Sequence, residues 1–169
     1  MKKITKLIAF TAAAILTVSS CGDNRPKIPE DWYKQSLQYY SDGLSNGWKN
    51  ETTQLYVADE MKDPNNKYGY LLKDLDGDGS AELLIGVIDD SPETKFIDLF
   101  IWHTDVGAFR IFHSGDDYYM YLCENNIIRM DSWHGSTPEI RYMKFNRENN
   151  SFTVLDETAT PQKCELTPF

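Results

Sequence analysis

Tyr33, Leu37, Tyr40 and Leu44 are spaced by four, three and four residues. That repeat lines one face of a helix with 3.6 residues per turn and predicts an amphipathic helix. Pro29 suits its first position, with Glu30 and Asp31 in the first turn, and Gly43 and Gly47 mark where it frays or stops. A second short helix is expected over 51–61, ended by Asp63-Pro64-Asn65-Asn66. From Tyr68 onward the period falls to two. Phe96, Asp98, Phe100 and Trp102 alternate with Ile97, Leu99 and Ile101, as in a strand with two different faces. Strands are expected over 68–72, 82–88, 96–103, 109–113, 118–122, 127–131, 139–145 and 152–155.

Asn125-Asn126 and Asn149-Asn150 each separate two such runs. Asparagine tolerates the left-handed backbone of tight hairpins. Short links of this kind join antiparallel neighbours. The expected fold class is α+β, with an N-terminal helical segment packed on an antiparallel β-meander of about eight strands. There is no low-complexity segment and no clear internal repeat.

Between the first two strands lies Asp74-Leu75-Asp76-Gly77-Asp78-Gly79-Ser80-Ala81-Glu82. Carboxylates occupy loop positions 1, 3, 5 and 9, with glycine at position 6. Ca²⁺ takes six to eight oxygen ligands, and this spacing supplies most of them from one tight turn. Two carboxylates about 4 Å apart repel by roughly 1 kcal/mol in bulk water and about 4 kcal/mol at the effective dielectric of a protein surface, a strain that a cation relieves. The expected ligands are the side chains of Asp74, Asp76, Asp78 and Glu82 and the main-chain carbonyl of Ser80. Oxygen donors without nearby His or Cys disfavour zinc and copper, and Mg²⁺ prefers a smaller octahedral shell with several waters. The ion either staples the turn or helps to form a binding surface.

An EF-hand loop needs a bidentate Glu at position 12, where this chain has Ile85. Dockerin modules duplicate the loop, and no second copy is present. The loop resembles the strand-loop-strand calcium site of FG-GAP repeats. Tyr68-Gly69-Tyr70-Leu71-Leu72 stands for the first strand and Glu82-Leu83-Leu84-Ile85-Gly86 for the second. The resemblance covers about twenty residues and implies the loop chemistry. It does not imply a propeller, which needs at least about four blades.

The chain opens with Lys2 and Lys3, an apolar run from Leu7 to Leu16, and Val18-Ser19-Ser20-Cys21. The run is shorter than the roughly 20 residues of a membrane span. This pattern resembles the bacterial lipoprotein signal, which implies that residues 1–20 are a signal peptide and that Cys21 carries the lipid. Residues 21–28 then read as a tether and 29–169 as a single domain. The combination of this signal, a helical part and the acidic segment running into Leu83-Leu84-Ile85-Gly86 resembles a group of small Firmicutes lipoproteins. That resemblance implies architecture and an extracytoplasmic location, anchored by lipid to the cell membrane or outer membrane. It implies no activity.

The formal net charge is -9, and removing a lysine-bearing signal makes the remainder more acidic. Such a chain lacks the basic footprint that nucleic acid requires. Its clustered carboxylates, with no arginine partner evident in sequence, favour metal ions or basic ligands. Cys123 and Cys164 remain after processing, either as a disulfide pinning the C-terminal tail or as two free thiols. His103 and His113 sit near the ends of an expected hairpin without the spacing of a zinc site. Ser136 lacks a nucleophile elbow, and the adjacent Asp89 and Asp90 would point to opposite faces of a strand. Trp133 can stack on a sugar ring, although packing under a loop suits it better. The expectation is a non-enzymatic, lipid-anchored calcium-binding module that binds an envelope protein or a polysaccharide. A cell-wall-acting hydrolase and a purely structural accessory lipoprotein are the alternatives.

Overall fold

The computed structural model describes residues 32–49, 56–115, 117–133 and 137–169. Among them are one α-helix, α1 (Lys34–Asn46), and nine strands, with every strand pairing antiparallel. This is a mostly antiparallel α+β fold. The strands are β1 (Lys67–Lys73), β2 (Glu82–Ile88), β3 (Lys95–His103), β4 (Gly107–His113), β5 (Tyr118–Leu122), β6 (Ile128–Trp133), β7 (Pro138–Asn146), β8 (Ser151–Leu155) and β9 (Thr167–Pro168). No helix among the described residues is long and apolar enough to cross a membrane.

Helix α1 begins later than the sequence pattern predicts. Tyr33, just before it, has φ 60, a left-handed conformation through which a helix does not continue. Its ring is 1% exposed and its hydroxyl donates to the Ala81 carbonyl at 2.9 Å, holding the strained residue in place. Pro29, Glu30 and Asp31 lie outside the described residues. Gly47, at φ 64, ends the helix, and the N–H of Trp48 caps the Gly43 carbonyl at 2.8 Å. Gly43 does not fray the helix. The Trp48 indole folds back over it, and a Cβ there would lie 2.2 Å from that ring. Of the helix expected over 51–61, the described part forms only a 3-10 turn at Asp59–Lys62.

Strand order is β8-β7-β6-β5-β3-β2-β1-β9, with β4 also paired to β3. The meander is therefore interrupted twice, where β5 pairs with β3 instead of β4 and where β9 pairs with β1 instead of β8. β3 splits its edge, pairing Lys95 and Phe96 with β5 and Asp98 through His103 with β4. The eight expected strands all form. The ninth, β9, has two residues, too few to show a period.

Both faces of β2 and β3 are covered. On one face Leu83, Ile85 and Phe100 pack with Tyr33, Tyr40 and Met61 from the helical side. On the other, Leu84, Leu99 and Ile101 share a core with Met120, Leu122, Ile128, Met143 and Phe145 of β5 to β7. Burial on two sides explains the unbroken apolar run Leu83-Leu84-Ile85. Each such side chain contributes about 1.5–3 kcal/mol.

The tail beyond Pro161 ties these parts together. Gln162 donates its N–H to the Leu122 carbonyl at 2.9 Å and accepts from Thr94 N–H at 3.1 Å. Cys164 N–H bonds Thr94 Oγ1 at 2.8 Å. Leu166 enters the second core, and β9 pairs with β1 at Gly69 and Tyr70. Gly69 is needed there, because a Cβ would come 2.6 Å from the Thr167 carbonyl oxygen. Cys123 and Cys164 are free thiols. Cys123 pairs with Pro161, so an extended tail carries Cys164 about 10 Å further at 3.3 Å per residue, beyond a disulfide's reach.

Candidate metal centre

The acidic loop joins β1 to β2, closed by the pair Lys73 and Glu82. Gly77 and Gly79 have φ 83 and 87, conformations in which any other residue is strained. The carboxylates organise the turn through main-chain N–H groups. Asp74 accepts from Gly77 at 2.7 Å and Gly79 at 2.9 Å, Asp76 from Asp78 at 3.1 Å, and Asp78 from Ser80 at 2.7 Å. One oxygen each from Asp74, Asp76 and Asp78 lies within 4.8 Å of the others. With Ca²⁺–oxygen bonds of about 2.3–2.6 Å, ligands around one ion are separated by at most about 5.2 Å, so the three oxygens fit a single coordination sphere.

Glu82 stands apart from that trio. It is 0% exposed, with one oxygen accepting from Leu75 N–H at 2.8 Å and the other from Arg147 Nη1 at 3.2 Å. Burial, reinforced by the negative charges of Asp76 and Asp78, pushes its carboxyl up to about 7 against the opposing pull of Leu75 N–H and Arg147. Ser80 is half-buried in the same loop.

Arg147 corrects the expectation of carboxylates without an arginine partner. It follows β7 directly. Its main-chain N–H donates to Asp76 at 3.2 Å, its Nε lies 3.5 Å from Asp78, and its Nη2 donates to the Trp102 carbonyl. Asn126, in the turn between β5 and β6, donates Nδ2 to the Asp74 carbonyl at 2.8 Å. Two connections, β5–β6 and β7–β8, thus meet at the acidic loop. The paired asparagines mark turns in the sequence, but nothing local shows what those turns dock against. A groove of about 560 Å³ runs beside the loop, lined by Asp76, Asp78, Lys144, Asn146, Glu148 and Thr153.

The other candidate residues are dispersed. His103 pairs with Gly107 beside the β3–β4 turn, whereas His113 pairs with Asp98 at the other end of that hairpin. The hairpin therefore separates the two rings. His113 Nδ1 bonds Asp98 at 2.7 Å, and buried Asp98 also accepts from Arg110 at 3.2 Å and from the Tyr40 hydroxyl. Burial, with the charge of Asp98, holds that hydroxyl well above its ordinary value. This cluster, which sequence pattern did not reveal, joins α1 to β3 and β4. Asp89 pairs with Lys163 at 3.3 Å. Trp133 is 43% exposed, while Ser136 lies outside the described residues, as does Cys21. Comparisons with protein-family models, curated proteins and solved structures find no match.

Proposed function

We propose that this chain is a non-enzymatic, lipid-anchored extracytoplasmic module that holds Ca²⁺ at residues 74–82 and binds an envelope protein or a polysaccharide. The observation that carries the metal reading is the convergence of Asp74, Asp76 and Asp78 within 4.8 Å on a loop shaped by two left-handed glycines. The Ser80 carbonyl and Glu82 complete the ligand set, Glu82 by exchanging Arg147 for the ion. A divalent cation there neutralises the mutual repulsion of the carboxylates and stiffens the point where the β5–β6 and β7–β8 turns dock. The anchor reading rests on Val18-Ser19-Ser20-Cys21, and the partner reading on the groove beside the loop and exposed Trp133.

Isothermal calorimetry of the protein, titrated with Ca²⁺ and separately with Mg²⁺, tests the metal. Heat with Ca²⁺ and a rise in melting temperature are expected, with a weaker response to Mg²⁺. No heat and no thermal shift at millimolar Ca²⁺ would reduce the loop to a solvated acidic turn.

A further inference from the structure

We infer that the partner is an uncharged polysaccharide lying along the outer face of β6 and β7, from Trp133 to the groove beside the acidic loop. This rests on the polysaccharide half of the proposed function and gives it a place and a chemistry.

Directly paired residues of antiparallel strands project from the same face of a sheet. Tyr119, Asp131 and Ile140 therefore form one row across β5 to β7, and Tyr121, Arg129 and Tyr142 form the next. Trp133 lies at one end of this face and Lys144, opposite Thr153, at the other. The alternate residues Met120, Ile128, Met130 and Met143 turn inward to the second core. Among the described residues, the core that α1 joins takes in no side chain of β5 to β8. Trp133 and Ile140 are accordingly 43% and 49% exposed. Lys144 and Thr153 also line the groove beside the acidic loop, so face and groove are continuous. Pro138, opposite Trp133, precedes Asn146 by eight residues along β7. That is about 26 Å at 3.3 Å per residue, room for several sugar rings.

A pyranose presents an apolar C–H face and a belt of hydroxyls that donate and accept hydrogen bonds. Trp133 and Tyr142 supply rings for the first. Between them, Arg129 and Asp131 supply partners for the second. Arg129 donates from Nε and Nη2 to the two oxygens of Asp131 at 2.7 and 2.6 Å, and its guanidinium lies 4.7 Å over the Tyr121 ring. The fork is thus fixed before any ligand arrives. Each carboxylate oxygen keeps a lone pair and the guanidinium keeps spare N–H groups, and both side chains remain in part exposed. The pair cancels its own charge, and a chain of net charge -9 repels a polyanion. A protein partner fits less well, because the cores of protein interfaces are depleted in carboxylates.

The test is native affinity electrophoresis of the full chain, in a polyoxyethylene detergent with millimolar Ca²⁺. Separate gels contain a β-glucan, an α-glucan, a mannan, a soluble chitin derivative without charge, or polygalacturonate. Retardation by at least one uncharged polysaccharide is expected. Trp133→Ala and Tyr142→Ala should each weaken it by about tenfold at an unchanged melting temperature. Phe109→Ala, at a 53% exposed aromatic of β4 away from this face, should leave it as it is. Exposed Trp133 decides the case if Tyr142→Ala loses its fold. Undiminished retardation of Trp133→Ala, or an equal loss in Phe109→Ala, overturns the track and leaves the polysaccharide reading standing. Retardation by polygalacturonate alone overturns the uncharged class and leaves that reading standing too. No retardation of wild type in any gel overturns both.

Discussion

Arg147 and Glu82 are 65 residues apart in the chain and bonded at 3.2 Å. Glu82 is buried, whereas the arginine side chain is 23% exposed. Removing the arginine strands a carboxylate among Asp76 and Asp78 with only the Leu75 N–H to hold it. Breaking a buried pair costs about 3–5 kcal/mol while the charge persists, but a carboxyl already raised to about 7 takes up a proton when the arginine is lost, so Arg147→Met is expected to cost about 1–3 kcal/mol near neutral pH. Urea denaturation of the metal-free protein measures this, and Glu82→Gln added to Arg147→Met should recover part of the loss. An undiminished midpoint in the single variant would show that the pair contributes nothing.

The acidity of Glu82 gives a pH signature. Its carboxyl stands at about 7 in the fold against an ordinary 4.5, so the folded state favours the protonated form. The stability this contributes is fully present below about 4.5 and is lost as pH rises through 7. The melting temperature of metal-free protein should therefore fall across that window, and Glu82→Gln should flatten the decline. Saturating Ca²⁺ should oppose it, because the ion favours the ionised carboxylate. A slope identical in wild type and Glu82→Gln would assign the effect to another group.

Calcium should act on stability by mass action. A hundredfold excess over the dissociation constant adds about 2.7 kcal/mol. Asp76→Ala and Asp78→Ala should abolish most of this response while relieving repulsion in the empty loop. Glu82→Gln should weaken it less, since an amide oxygen still coordinates. Thermal shifts with and without a chelator rank the three variants, and an undisturbed response in Asp78→Ala would remove that residue from the ligand set.

Gly43→Ala tests the helix terminus. Alanine normally stabilises a helix by about 1 kcal/mol over glycine, yet its Cβ would sit 2.2 Å from the Trp48 ring. Overpacking costs about 1–3 kcal/mol, so a net loss of up to about 2 kcal/mol is expected from denaturant midpoints. A more stable variant would mean that Trp48 moves aside freely.

Membrane attachment is tested by Cys21→Ala. Fractionated cells should release the variant from the membrane pellet while wild type stays in it. Retention of the variant at wild-type levels would place the attachment elsewhere.

The strands were legible because alternation is local: Phe96 through Trp102 announces β3 without reference to any neighbour. So was the loop, whose acidic spacing and glycines lie within nine residues. What escaped depends on distant contacts. Gly43 reads as a breaker until Trp48 is seen lying on it, and Tyr33 reads as a helical residue until its bond to Ala81 fixes it left-handed. Arg147 is one basic residue in a polar turn until the second half of the sheet packs under the first. The split edge of β3 is equally invisible, and so is the irregularity between Leu99 and Phe100, which puts Phe96 in one core and Phe100 and Trp102 in the other although alternation places all three on one row.

Gln162 bonds Leu122 with its N–H and Thr94 with its carbonyl, acting as a shared rung where β5 and β3 diverge. Time, and not only geometry, is set by such a rung. Contacts separated by 70 residues, as between Thr94 and Cys164, close slowly because loop entropy is lost before they form. The β1–β2, β3–β4, β5–β6, β6–β7 and β7–β8 hairpins, whose partners lie far closer in sequence, are expected to close earlier. The seam is the late step, so a protease acting on a partly folded population should find the region around residues 156–163 first.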